Sequence, residues 1–245
     1  MKILFVIQTM IDGGASNAMV ELAAEIVNDS TGIDIDIFSY ENYRKNIPKH
    51  LIHYNGDEKE LYRLYIDNAY DFIHWFRTNS GVFFNKLIKY LKQKNLIIPP
   101  LILTHCQVSS EFKLRLNINE LQYVRKFVFI SKFEYNQQKS LGDTDKTFIY
   151  FGSNFSGICA KKHNQKNEII FGRGSSLNKC HPKMLNVYKK IGFKKSKFLI
   201  AGEGNRKRLV QKIKKLNLDT NVILYGHLNK QEWYDFLQSL DIFLY

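Results

Sequence analysis

Arg173 and Lys179 are two cations six residues apart, and they follow Gly172 at the end of the apolar run Ile169-Ile170-Phe171. Arginine offers phosphate oxygens a planar fork and lysine a mobile point charge, so the pair could grip a diphosphate. Two solvated cations in a basic stretch would satisfy the same spacing. Gly13-Gly14 stands between an apolar run and a helical pattern. Backbone amides there, with a helix N-terminus behind them, suit a phosphate or a sugar hydroxyl, or else the glycines simply make a tight turn. The full G-x-G-x-x-G nucleotide signature is absent. Gly202-Glu203-Gly204 and Gly226-His227 follow two further apolar runs. Each alone reads as a turn, but successive runs ending in glycine place close-approach positions along one rim. His105 ends the run Leu101-Ile102-Leu103-Thr104, where a side chain faces a ligand crevice, whereas His74 sits inside a run and reads as packed. Cys180-His181 has no second ligand pair at metal spacing. No Ser-His-Asp arrangement, phosphate-binding Walker loop or zinc-protease motif is present.

These residues need elements to hold them. Short apolar runs predict strands at residues 3–8, 71–76, 101–104, 127–131 and 147–151, the alternation of Ile with Asp predicts one at 33–38, and 50–54 reads as another short one. Helical periodicity predicts helices over 58–69, 83–91 and from Ser16 or Asn17, read as an N-cap, to Val27. Residues 152–167 are polar and irregular. Beyond them, strands at 168–171, 198–201, 222–225 and 241–245 alternate with helices at 184–191, 206–216 and 231–237. That alternation implies βαβ crossovers and parallel sheets. The expected architecture is α/β with two Rossmann-like domains, residues 1–160 and 161–245. The last strand ends with the chain at Tyr245, so its next loop and covering helix are expected to be missing and the second domain incomplete.

Composition narrows the function classes. The chain has 245 residues, 44% hydrophobic and 24% charged, which excludes disordered and fibrous classes. No uncharged apolar run reaches the roughly 18–20 residues of a membrane span. The N-terminal run breaks at Gln8 without a cleavage site and reads as a strand rather than a signal. Three scattered cysteines, Cys106, Cys159 and Cys180, supply no disulfide frame and point to the cytosol. The net charge of +13 is uneven: residues 1–160 carry 18 Lys and Arg against 17 Asp and Glu, and residues 161–245 carry 18 against 6. The basic half suits an anionic partner; an AT-rich coding sequence, with 28 Lys to 8 Arg, would produce the same excess. Nucleic acid is not expected, because stacking and groove-reading motifs are lacking.

Taken together, the segments GGAS, DFIHWF, LILTHCQVSS, FVFISKF, IIFGRGSSLNKCHPKML, FLIAGEGNRKRL, VILYGHL and LDIFLY resemble, in order, those of the retaining family 4 glycosyltransferases of GT-B fold, with their glycosyltransferase group 1 second domain. Ser16 stands where that family usually has Glu, Cys180 where it has Gly, and the chain ends before the family's paired glutamates. The resemblance implies a hexosyltransferase that moves a sugar, with retention, from a nucleotide-diphosphate sugar to a glycan or lipid-linked acceptor in cell-surface polysaccharide or glycoconjugate synthesis. It implies catalytic roles for His105, Arg173 and Lys179. Gly13, Gly14, Gly202, Glu203, Gly226 and His227 would join the two cations around the donor diphosphate and nucleotide. No metal or cofactor is implied. The basic half would also fit peripheral contact with the anionic inner face of the cell membrane. The alternatives are a truncated remnant that binds nucleotide at most, and a GT-B sugar-nucleotide epimerase.

Overall fold

The computed structural model describes residues 1–11, 14–29, 32–43, 47–77, 82–106, 122–138, 141, 145–150, 168–174, 183–192 and 195–244. The chain forms two compact units, Met1–Ser153 and Asn154–Tyr245. Residues 152–167, where the sequence changes character, lie outside the described residues.

The first unit contains β1 (Lys2–Met10), α1 (Gly14–Asn28), β2 (Asp34–Asn42), β3 (Ile52–Asn55), α2 (Glu58–Asp67), β4 (Phe72–Arg77), α3 (Val82–Gln93), β5 (Leu101–His105), β6 (Val124–Phe129), α4 (Lys132–Gln137) and β7 (Lys146–Phe148). Its seven strands run in the order β3-β2-β1-β4-β5-β6-β7. All pairings are parallel. β1 lies mid-sheet and is apolar on both faces, because successive side chains point to opposite sides. Ile3, Phe5 and Ile7 pack with Met19, Val20 and Ala23 of α1. Leu4 and Val6 pack with Leu61 of α2 and Phe84, Leu87, Ile88 and Leu91 of α3. Helices thus cover both faces, the doubly wound arrangement that the alternation of elements predicts.

The second unit contains β8 (Ile169–Gly174), α5 (Lys183–Ile191), β9 (Ser196–Ala201), α6 (Lys207–Lys215), β10 (Val222–Leu224), α7 (Lys230–Gln238) and β11 (Ile242–Phe243). Its four strands run β10-β9-β8-β11, again parallel. Leu185 and Tyr188 of α5 join Leu209 and Ile213 of α6 on one face. Phe236, Trp233 and Leu237 of α7 cover the other.

Two expectations need correction. The first helix begins at Gly14, so neither Ser16 nor Asn17 is its N-cap. Ser16 is a buried residue of the first turn, whose Oγ donates to the Thr9 carbonyl and accepts from the Ile11 N–H, each at 3.3 Å. It ties the end of β1 to the helix rather than starting the helix. The strand expected to run to Ser131 stops at Phe129, and Ser131 instead caps α4, a helix that periodicity did not predict. Among the described residues, no helix is long and apolar enough to cross a membrane.

Candidate functional site

In an open parallel sheet, ligands bind beyond the carboxyl ends of the strands where the strand order reverses. In the first unit that point is the junction of β1 and β4. Gly14 opens α1 just past β1, and among the described residues nothing lies within 4 Å of where a Cβ would stand. Gly13 lies outside the described residues. Arg77 ends β4 and is paired in register with His105, which ends β5. The Cys106 N–H donates to the Arg77 carbonyl at 2.9 Å and locks the two strand ends together.

Arg77 is only 2% exposed. Burial lowers its pKa to about 10, which leaves it cationic at neutral pH. Its only sequence signal is an arginine closing an apolar strand. His105 is buried as well, and its Nδ1 lies 2.5 Å from Oε1 of Glu134, in the first turn of α4. A carboxylate accepts, so the contact suits the tautomer with its hydrogen on Nδ1. Burial and the negative charge of Glu134 push the neighbouring Cys106 thiol up to about 12, keeping it protonated. Two strand ends and the first turn of α4 therefore bring a guanidinium, an imidazole and a carboxylate to one buried edge. Glu134 was also missed, although S-x-x-E at residues 131–134 is a readable helix-start pattern.

His74 belongs to the packing, as its place inside a strand predicts. Its Nε2 bonds Thr104 Oγ1 at 2.7 Å and its ring stacks on Phe76, with centroids 4.5 Å apart. Burial holds its pKa down to about 4, so it is neutral.

In the second unit the strand ends also converge, but their glycines divide. A Cβ on Gly172 would meet Leu240 at 2.1 Å and one on Gly174 would meet Trp233 at 1.9 Å, so both exist for the approach of the α7 layer. Alternation along β8 turns Arg173 to the opposite face, the side of Phe171 and of α5 and α6. Arg173 Nη1 reaches the Leu244 carbonyl at 3.4 Å, and its Nε has no partner among the described residues. Lys179 lies outside the described residues. Gly202 and Gly204 have φ of 144° and 134°, conformations that require glycine. The Gly202 N–H donates to the Gly226 carbonyl at 3.0 Å, joining the turns after β9 and β10. Arg206 makes a second stitch, donating from Nη2 to the Tyr225 carbonyl at 3.1 Å. Glu203 and His227 stand exposed on those turns. Among the described residues, no group of three or more His, Cys, Asp or Glu side chains is placed to hold a metal ion.

Residues 159–245 match the family described as glycosyl transferases group 1. No curated protein matches the chain. Among solved structures, Anabaena Alr3699/HepE in complex with UDP and glucose superposes with a TM-score of 0.69 at 15% identity, covering 99% of this chain and 73% of that one. The lipopolysaccharide outer core galactosyltransferase WaaB, apo form, gives 0.65 at 14%, covering 98% and 71%. The UDP-GlcNAc 2-epimerase from Neisseria meningitidis bound to UDP-GlcNAc gives 0.59 at 13%, covering 99% and 76%. At such identities the superpositions establish the fold alone. The chain has the GT-B fold of these structures, and its residues 159–245 resemble the glycosyl transferases group 1 family.

Proposed function

We propose that this protein transfers a hexose, with retention, from a nucleotide-diphosphate sugar to a glycan or lipid-linked acceptor, in the manner of family 4. The observation that carries the reading is the family match over residues 159–245, the stretch that holds Arg173, the Gly202 turn and Gly226. In this reading Arg173 and Lys179 grip the donor diphosphate and offset the charge that grows on the leaving group, which is electrostatic stabilisation of a transition state. Gly202, Glu203, Gly226 and His227 frame the nucleotide, the Gly13-Gly14 amides approach phosphate and acceptor, and His105 orients the sugar. The two cations take the part a divalent metal would otherwise play, so turnover is expected to survive EDTA. The enzyme works in the cytoplasm, with its basic second half against the anionic inner face of the membrane.

HepE was solved with UDP and glucose, which makes UDP-sugars the first donors to test. The experiment follows UDP release and sugar configuration by NMR across a panel of sugar nucleotides, with thermal shift as the binding readout. UDP is expected to raise the melting temperature, and the double variant Arg173→Ala/Lys179→Ala to abolish that rise. Each charge-assisted bond contributes roughly 1.5–3 kcal/mol, so affinity should fall at least a hundredfold. Protection by UDP that survives in the double variant would refute the assignment. Interconversion of the sugar's C2 configuration without transfer would favour the epimerase reading.

A further inference from the structure

We propose that Glu134 is a positioning residue for His105, holding the imidazole in the tautomer and orientation in which Nε2 accepts from a hydroxyl of the donor sugar. This rests on the reading that places His105 at the sugar.

Among the described residues, three helices open on a capping residue followed three positions later by Glu: Asp57/Glu60 at α2, Ser131/Glu134 at α4 and Asn229/Glu232 at α7. At α2 and α7 the box is closed: the glutamate reaches back and accepts from the N–H of the capping residue, at 2.8 Å in each case. Both of these glutamates are exposed. At α4 only half of it forms. Ser131 Oγ accepts from the Glu134 N–H at 3.2 Å, but the Glu134 carboxylate turns inward to His105. Glu134 is 4% exposed and His105 1%.

That diversion runs against local preference twice. It gives up the second half of a capping box, and it buries a carboxylate, which is unfavourable unless the charge is paired. Departures of this kind from local consistency concentrate at functional sites. The partner is also not an arbitrary one. His105 is the carboxyl-terminal residue of β5, in register with Arg77 at the end of β4, on the edge where the fold places ligands. The groups beside the pair are Arg77 from β4, in register with His105, Phe129 of β6, whose ring lies 6.4 Å from the imidazole, and Cys106 following β5; the Cys106 thiol is held neutral, in part by the charge of Glu134. A carboxylate on Nδ1 fixes the ring and strengthens Nε2 as an acceptor.

The experiment uses the full chain and three variants, Glu134→Gln, Glu134→Asp and His105→Ala, with the double variant Glu134→Gln/His105→Ala. Side-chain nitrogen NMR reads the His105 ring without substrate: the wild type is expected to show Nδ1 protonated, and Glu134→Gln to shift that resonance. UDP release from UDP-glucose and its relatives is the functional readout. Glu134→Gln should lower kcat roughly tenfold with little change in KM, Glu134→Asp should recover part of it, and Glu134→Gln should add nothing in the His105→Ala background. A ring resonance that ignores Glu134→Gln, or losses that multiply in the double variant, would overturn the proposal. A ring that responds in a chain whose wild type releases no UDP would instead sink the placement of His105 at the sugar, and the two failures are thereby separable.

Discussion

Two histidines of the first unit work by staying neutral, and that makes stability depend on pH. Burial depresses the pKa of His74 from 6.5 to about 4 and also lowers that of His53, which is bonded to Ser39 Oγ at 2.9 Å. Between pH 6.5 and 4 the unfolded chain takes up a proton on residue 74 that the folded chain refuses. The unfolded state then binds more protons, so stability is fully present above pH 6.5 and is lost as the pH falls toward 4. The full His74 effect is about 3 kcal/mol. His74→Phe keeps an aromatic ring against Phe5 and Phe76 and removes the titration. Urea midpoints at pH 7 and pH 4.5 should therefore differ less in the variant than in the wild type. His53 and the carboxylates cancel in that comparison; an equal pH slope in both proteins would show that His74 does not titrate as its burial requires.

At the level of elements, glycine separates what sequence can announce from what it cannot. The inner strands β1, β5 and β9 are visible as apolar runs, because strands covered on both faces need apolar residues throughout, while β2 shows through its alternation of Ile with Asp. Helix α4 was not visible, since the six residues of Lys132–Gln137 span less than two turns and show no period; only its S-x-x-E start marks it. Arg77 escaped for another reason, as register across β4 and β5 is what brings it beside His105. The glycines after the strands were legible as positions without a Cβ, but the identity of what fills the space was not. At Gly172 and Gly174 the α7 layer fills it, whereas at Gly202 the backbone itself demands glycine. Gly174→Ala would press a methyl into the rigid Trp233 ring, and overpacking of this kind typically lowers stability by about 1–3 kcal/mol. Gly14→Ala meets open space at the start of α1 and should be near neutral or slightly stabilising. Thermal melting of the two variants checks the contrast, and an unperturbed Gly174→Ala would mean that α7 can shift away freely.

The charge asymmetry is a property of the whole molecule, and its placement within the second unit gives it a direction. Helices α5 and α6 share one face of the second sheet and carry eight Lys or Arg residues, with no Asp or Glu in either. Helix α7, on the other face, carries Glu232 and Asp235 against Lys230. A coding bias would enrich lysine on both faces alike, so the one-sided distribution favours a partner on the α5–α6 side. Val187, Ile191 and Val210 are exposed on these same helices. Lys189 Nζ donates to the Leu216 carbonyl at 3.0 Å and pins their ends together. Cations interleaved with small apolar tips suit the headgroup layer of an anionic bilayer. Among the described residues, helices α5 and α6 carry no exposed aromatic side chain of the kind that stacks nucleic-acid bases. Each cation near such a surface contributes about 1 kcal/mol, so the triple reversal Lys207→Glu/Lys214→Glu/Lys215→Glu should weaken vesicle binding more than a hundredfold. Co-sedimentation with phosphatidylglycerol vesicles at low salt should capture the wild type, release it as salt rises and fail for the triple variant, with phosphatidylcholine vesicles capturing neither. Binding that ignores both salt and charge reversal would exclude this face as the membrane contact. Tighter retention on single-stranded DNA than on the anionic vesicles at the same ionic strength would assign the face to nucleic acid instead.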